Sequence, residues 1–298
     1  MSIESVARQE PCNDEYVQPI LHYQCAGCLT EPASSVKYQD EFACSFLAVN
    51  VGKPYTGVMQ SLKDKVVLVV GGGSGIGLGI GKSLVNEGAR VVLAARTESS
   101  LAAAQKDGSF QIHTCDATCR DQVRATVDWV GENVGPVDIL VYSAGMNVPK
   151  RTFADMDPES MDQVMDVNAI GAYNCMQAVL PGMRERGSGL IINVVSLAGL
   201  RTLQLAGLPY CASKFAQSAM GTFANLEALP DGVSVTNIYP GETETPILDK
   251  RPVPPSAEQR ARMLQPDDIA AMVTTVAKLP PRATVPEIVI TPRHMPYA

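Results

Sequence analysis

From Leu62 to Ile290 the chain alternates short apolar runs with stretches of helical periodicity, and this alternation limits the fold more than any other feature. The spacing predicts strands over 65–70, 90–95, 110–114, 137–142, 189–195, 233–239 and 287–290. Between them it predicts helices over 75–86, 98–105, 121–130, 160–186, 208–228 and 266–278. Runs such as Val66–Val70 are apolar at every position rather than at every second one, so both faces of the strand must be covered. Strands of that kind separated by helices form an α/β fold, a doubly wound parallel sheet with helices on both sides. Ligands of such sheets bind beyond the carboxyl ends of the strands, which makes the residues after each strand the ones to read.

Composition narrows the function classes. With 298 residues, 46% hydrophobic and 18% charged, the chain can bury a large core and is not a disordered one. A net charge of −7 argues against nucleic-acid and anionic-membrane partners, which need a basic face. No apolar run approaches the roughly 18 residues of a membrane helix, and the first ten residues lack the apolar stretch of a secretory signal. The expectation is a cytoplasmic protein whose eight cysteines are thiols. Residues 1–58 differ from the rest: they hold four of the cysteines and 7 acidic against 3 basic residues, with no sustained amphipathic period. They read as an N-terminal extension, and 59–298 as one domain. His22, Cys25 and Cys28 with Cys12 or Cys44 could be written as four zinc ligands. The spacing is irregular and no second Cys-x-x-Cys closes a site, so the expectation is no metal.

After the first strand comes Gly71-Gly72-Gly73-Ser74-Gly75-Ile76-Gly77, running straight into a helix. Glycines there allow a tight turn and let a phosphate reach the amides at the helix N-terminus. The spacing is Gly71-x-x-x-Gly75-x-Gly77 rather than G-x-G-x-x-G, and a merely flexible turn is the competing reading. At the end of the second strand, where an acid would bind the adenosine ribose of NAD, stands Ala95-Arg96. Arg96 can pair with a 2′-phosphate, which favours NADP over NAD; a solvated strand-end cation is the alternative. Further on, Tyr210-Cys211-Ala212-Ser213-Lys214 places a phenol and an ammonium at i and i+4 on one helical face. A nearby ammonium favours the phenolate, and lowering a tyrosine pKa by about 3 units takes roughly 4 kcal/mol. The pair alone is a weak signal. Upstream, Ser196 ends a strand and Asn168 lies inside the long predicted helix.

Taken together these residues resemble the short-chain dehydrogenase/reductase family, the branch with a core near 250 residues, over 62–292. The resemblance implies a Rossmann fold and a cofactor loop at Gly71, Gly75, Ile76 and Gly77. It implies an adenine contact at Asp116, a strand motif ending in Ala144 and Gly145, and catalysis by Asn168, Ser196, Tyr210 and Lys214. Pro240, Gly241 and Thr245 match the turn and hydroxyl that hold the nicotinamide amide. The chain departs from the family at Tyr142-Ser143, where two asparagines are usual. The first of these normally braces the central sheet, which Tyr142 cannot do in the same geometry.

On those roles, Ser196 holds the substrate oxygen, Tyr210 delivers or removes its proton, and Lys214 lowers the Tyr210 pKa and holds the cofactor ribose. Asn168 links Lys214 to solvent through a helix irregularity and a water. The implied activity is NADP-dependent interconversion of a ketone or aldehyde and an alcohol, by a homotetramer or homodimer built on the helices 160–186 and 208–228. A dinucleotide-binding sensor or scaffold of the same fold is the alternative, although such chains are expected to lack the tyrosine, lysine or serine present here. The segment 242–263 reads as a lid. Its cations Lys250, Arg251, Arg260 and Arg262 fit a solvated face better than an anionic substrate site, and nothing in the sequence names the substrate.

Overall fold

The computed structural model describes residues 59–295. The first strand, β1 (Val66–Val70), runs through the glycine turn into α1 (Gly75–Asn86). β2 (Arg90–Ala95), α2 (Glu98–Lys106), β3 (Gln111–Thr114) and α3 (Arg120–Asn133) follow, then β4 (Ile139–Tyr142). The segment expected to be one helix is α4 (Pro158–Met165), a π-helical turn (Asp166–Ile170) and α5 (Gly171–Glu185). β5 (Gly189–Val194), α6 (Leu208–Ala228) and β6 (Val233–Pro240) come next. A short helix α7 (Ala257–Arg260), α8 (Pro266–Ala277) and β7 (Glu287–Ile290) complete the described chain.

All seven strands are parallel, in the order β3-β2-β1-β4-β5-β6-β7. The chain winds outward from β1 through β3, then returns to the centre and winds the other way from β4. The reversal between β1 and β4 opens the crevice in which doubly wound sheets bind ligands.

Alternation of side chains along each strand divides the core into two layers. Val66, Leu68 and Val70 of β1 join Val92, Leu140 and Ile191 under α3, α5 and α6. Val67 and Val69 join Leu93, Val141 and Ile192 under α1, α2 and α8. Close packing of α1 depends on its small residues: a Cβ at Gly79 would stand 2.9 Å from Pro266 Cβ at the start of α8.

The departure at Tyr142 has a structural answer. Tyr142 is fully buried, and its hydroxyl donates to the carbonyl of Val167 inside the π-helical turn. It ties β4 to that turn, a geometry different from the sheet brace that the usual asparagine supplies. Tyr142, Asn193 and Asn237 also lie in register across β4, β5 and β6. The bond of 3.1 Å from Asn193 Nδ2 to Asn237 Oδ1 supplies side-chain bracing of the sheet itself.

The four cysteines among the described residues are free thiols. No helix among these residues is long and apolar enough to cross a membrane. His22, Cys12, Cys25, Cys28 and Cys44 lie outside the described residues.

Candidate active site

A cavity of about 670 Å³ lies along the carboxyl ends of β1, β2, β4, β5 and β6, and its walls carry most of the residues singled out from the sequence. At one end are Gly71, Gly75, Ile76, Arg96 and Asp116; at the other are Ser196, Tyr210, Lys214, Pro240, Gly241 and Thr245, with Ala144 and Gly145 between. Gly77 supports this wall from behind.

The glycine turn is a cradle that side chains would fill. Gly71 has φ +84°, and a Cβ there would stand 2.4 Å from the amide nitrogen of Ala144, so β1 and β4 touch through backbone at the switch point. A Cβ at Gly77 would lie 2.3 Å from the Gly71 carbonyl oxygen. These contacts bring the turn and the first turn of α1 against β4, with the start of α1 facing the cavity. That geometry suits the phosphates of a dinucleotide. Arg96 is exposed at the end of β2, beside the cradle. Asp116 accepts 2.9 and 2.8 Å bonds from the Thr118 amide and hydroxyl, which fix its carboxylate at the end of β3. The residues present therefore fit a nicotinamide dinucleotide.

At the far end, Ser196 caps a short turn by accepting from the Ala198 amide at 3.1 Å. Its side chain also hydrogen-bonds the Tyr210 phenol. Burial holds the Tyr210 pKa above the usual tyrosine range; the Ser196 bond and the positive charge of Arg251 pull against it. The sequence assigned the lowering to Lys214, whose Nζ stands 5.7 Å from the centre of the Tyr210 ring. Burial outweighs the lowering influences of Ser196 and Arg251 on the phenol, and it depresses Lys214 itself, to about 7.

Lys214 is 2% exposed, and its Nζ donates to Val194 O at 3.1 Å and to Gln217 Oε1 at 2.8 Å. Gln217 is fully buried. Sequence reading missed it, although Tyr210, Lys214 and Gln217 fall at spacings of four and three and so share one face of α6.

Asn168 occupies the π-helical turn, in which the Gly171 amide bonds to Asp166 O. Its amide group pairs both ways with the backbone of Met146, accepting from N at 2.7 Å and donating to O at 3.0 Å, and also donates to Ser213 Oγ at 2.9 Å. Ser213 in turn donates to Tyr210 O at 2.9 Å. Asn168 thus fastens the loop after β4 to the first turn of α6. Asn168 and Lys214 approach Gly145 from two sides, their polar atoms 3.6 and 3.7 Å from where its Cβ would be.

The 242–263 segment has its own polar framework. Arg251 pairs with Glu242 at 2.9 Å; Arg260 pairs with Glu244 at 2.9 Å and Asp249 at 2.5 Å. Two of its four cations are therefore held in ion pairs, whereas Lys250 and Arg262 are exposed as expected. Arg151 is a further cation at this end that the sequence did not single out.

The model of the short chain dehydrogenases matches residues 65–253. An oxidoreductase of Staphylococcus saprophyticus is 34% identical over 241 residues, which cover 78% of this chain and all of that protein. Among solved structures, serine dehydrogenase in its closed form with NADP+ superposes with a TM-score of 0.72 at 26% identity, covering 78% of this chain and 97% of that one. An actinorhodin polyketide ketoreductase with NADPH gives a TM-score of 0.69 at 31% identity, covering 76% and 95%. With the turn, the sheet order and the Ser196–Tyr210–Lys214 cluster in place, the chain belongs to the short-chain dehydrogenase/reductase family of oxidoreductases.

Proposed function

We propose that the protein is an NADP(H)-dependent oxidoreductase that interconverts a ketone or aldehyde and the corresponding alcohol. The observation that carries this reading is that Ser196, Tyr210 and Lys214 line the same cavity as the glycine cradle and Arg96. The bound nicotinamide supplies or accepts the hydride. Ser196 donates to the substrate oxygen and orients it toward the phenol. In reduction Tyr210 gives its proton to that oxygen as negative charge develops there, and in oxidation it takes the proton back. Lys214 holds the cofactor ribose and favours the phenolate by its charge, and Gln217 holds the ammonium in place. Asn168 keeps the Met146 loop and α6 in register, which fixes the distance between the cofactor's wall and Tyr210.

NADPH consumption over a panel of ketones and aldehydes, with NADP+-dependent alcohol oxidation in parallel, tests the reaction class. The serine dehydrogenase and ketoreductase structures, solved with NADP+ and NADPH, support the same cofactor here, as does the absence of an acid at the end of β2. Arg96→Ser is expected to cut kcat/KM for NADPH by about 10–100-fold, the worth of one charge-assisted pair, with little effect on NADH. Equal kcat/KM for the two cofactors in the wild type would remove Arg96 from the argument.

The same reading gives a homodimer or homotetramer. Ile170, Tyr173, Phe215, Phe223, Leu226 and Leu229 are exposed around α5 and α6, with Leu226 69% and Phe223 62% accessible. An apolar group of this kind on two neighbouring helices suits a contact between copies. Sedimentation of the wild type as an oligomer, and of Phe223→Asp/Leu226→Asp as a smaller species, is the expected result; a monomeric wild type refutes it.

A further inference from the structure

Arg151 lies in the loop between β4 and α4, is 7% exposed, and lines the cavity. Its hydrogen bonds all go to main-chain carbonyls: Nε to Pro149 O at 3.4 Å, Nη1 to Leu205 O at 3.0 Å and Nη2 to Lys250 O at 3.2 Å. These occupy three of its five N–H donors and leave its charge uncompensated. No carboxylate of the described residues forms an ion pair with it. The other charged groups here are accounted for differently. Arg251 has Glu242, which His294 Nε2 also meets at 3.2 Å.

Position ties Arg151 to the reacting end of the cavity. Its stem crosses Gly207, where a Cβ would lie 2.5 Å from Arg151 Cβ, and Gly207 is three residues before Tyr210. Arg251 acts electrostatically on both Arg151 and Tyr210, and all three line the same cavity.

A buried cation without an acid is costly, and a second cation beside it adds repulsion. Arg151 does latch the 200–207 loop to the 242–263 segment, but a latch onto carbonyls needs only neutral donors. Charge concentrated at a ligand cavity, and left unmatched by the protein, is matched by the ligand. On the oxidoreductase reading above, we propose that the substrate is an oxo or hydroxy acid whose carboxylate is bound by Arg151 with Arg251 alongside.

The test compares acetoacetate, levulinate and 2-oxobutyrate, each with its methyl ester, as substrates with NADPH. The wild type is expected to favour at least one acid over its ester in kcat/KM by about tenfold or more, the scale of a charge-assisted pair. Arg151→Gln, which keeps a donor for the carbonyls, is expected to bring that ratio to about one, and Arg151→Lys to retain much of it. Ratios near one for every wild-type pair overturn the proposal, as does Arg151→Gln lowering acid and ester alike.

Calorimetric binding of the same pairs to the full-length protein saturated with NADP+ decides the matter without turnover. Tighter binding of an acid, lost in Arg151→Gln, supports the site; equal affinity for acid and ester overturns it. Failure of all acids, esters and simple ketones to consume NADPH, with Arg151-dependent acid binding intact, counts against the oxidoreductase reading and leaves the anion site standing. Ester turnover with no preference for any acid counts against the anion site alone.

Discussion

Tyr210→Phe is expected to lower kcat by about 10²–10⁴-fold, the usual worth of a positioned general acid or base, while NADPH affinity stays within about threefold. The phenyl ring preserves the packing of a half-buried side chain and removes only the oxygen that Ser196 contacts. Fluorescence titration with NADPH and steady-state turnover separate the two effects. Full turnover in this variant would end the assignment.

The pH dependence gives a second readout with a definite sign. In alcohol oxidation the phenolate accepts the proton, so kcat/KM rises as Tyr210 ionises. Burial raises its pKa, whereas the Ser196 bond and the Arg251 charge lower it. Removing either lowering influence moves the rise to higher pH. Ser196→Ala is thus expected to lose activity and shift its remaining profile to the alkaline side, and Tyr210→Phe to lose the rise altogether. A purely structural role for Ser196 would lower the rate without moving the profile.

Much of this site was legible because its residues occupy the ends of strongly patterned elements. Val66–Val70 followed by a glycine turn left few places for β1 and α1, and the helix bounds Gly75–Asn86 and Leu208–Ala228 match those expected from periodicity. Tyr210 and Lys214 share one helical face, but that pair alone is a weak signal, and their roles came from the resemblance to the family. The interruption at Asp166–Ile170 was harder to locate, because a π-helical turn differs from an α-helix by one hydrogen-bond register and barely alters the apolar pattern. The Tyr210 pKa also escaped sequence reasoning. Spacing shows which charge lies near a phenol, but the opposing cost of burial depends on everything packed around both groups. Arg151 was invisible for a related reason: whether an arginine is solvated or buried without an acid is a property of three loops meeting, and no single segment records it.

Tyr142 shows how a departure from a family pattern can be absorbed by its neighbours, and it leads to the prediction with the largest expected effect on stability. Gly171, the first residue of α5, has φ −60° and ψ −40°, so an alanine meets no conformational objection there. In a helix that exchange ordinarily stabilises by about 0.5–1 kcal/mol. Here the added Cβ would stand 2.3 Å from the Tyr142 hydroxyl oxygen. Gly171→Ala is therefore expected to destabilise by about 1–3 kcal/mol, as overpacking in a buried site does. Tyr142→Phe leaves the Val167 carbonyl without the hydroxyl that binds it, at a cost of about 1–3 kcal/mol. The double variant removes the obstructing oxygen, and the nearest remaining groups are Ala117 Cβ at 3.2 Å and the Tyr142 ring carbon Cζ at 3.3 Å, which small shifts relieve. Its loss should be close to that of Tyr142→Phe alone, so denaturant midpoints of the four proteins should give a favourable coupling of about 1–3 kcal/mol. Simple additivity would mean that the hydroxyl and the glycine are independent. Coupling would mean that a tyrosine on β4 and a glycine opposite it together hold the turn from which Asn168 reaches Met146 and Ser213.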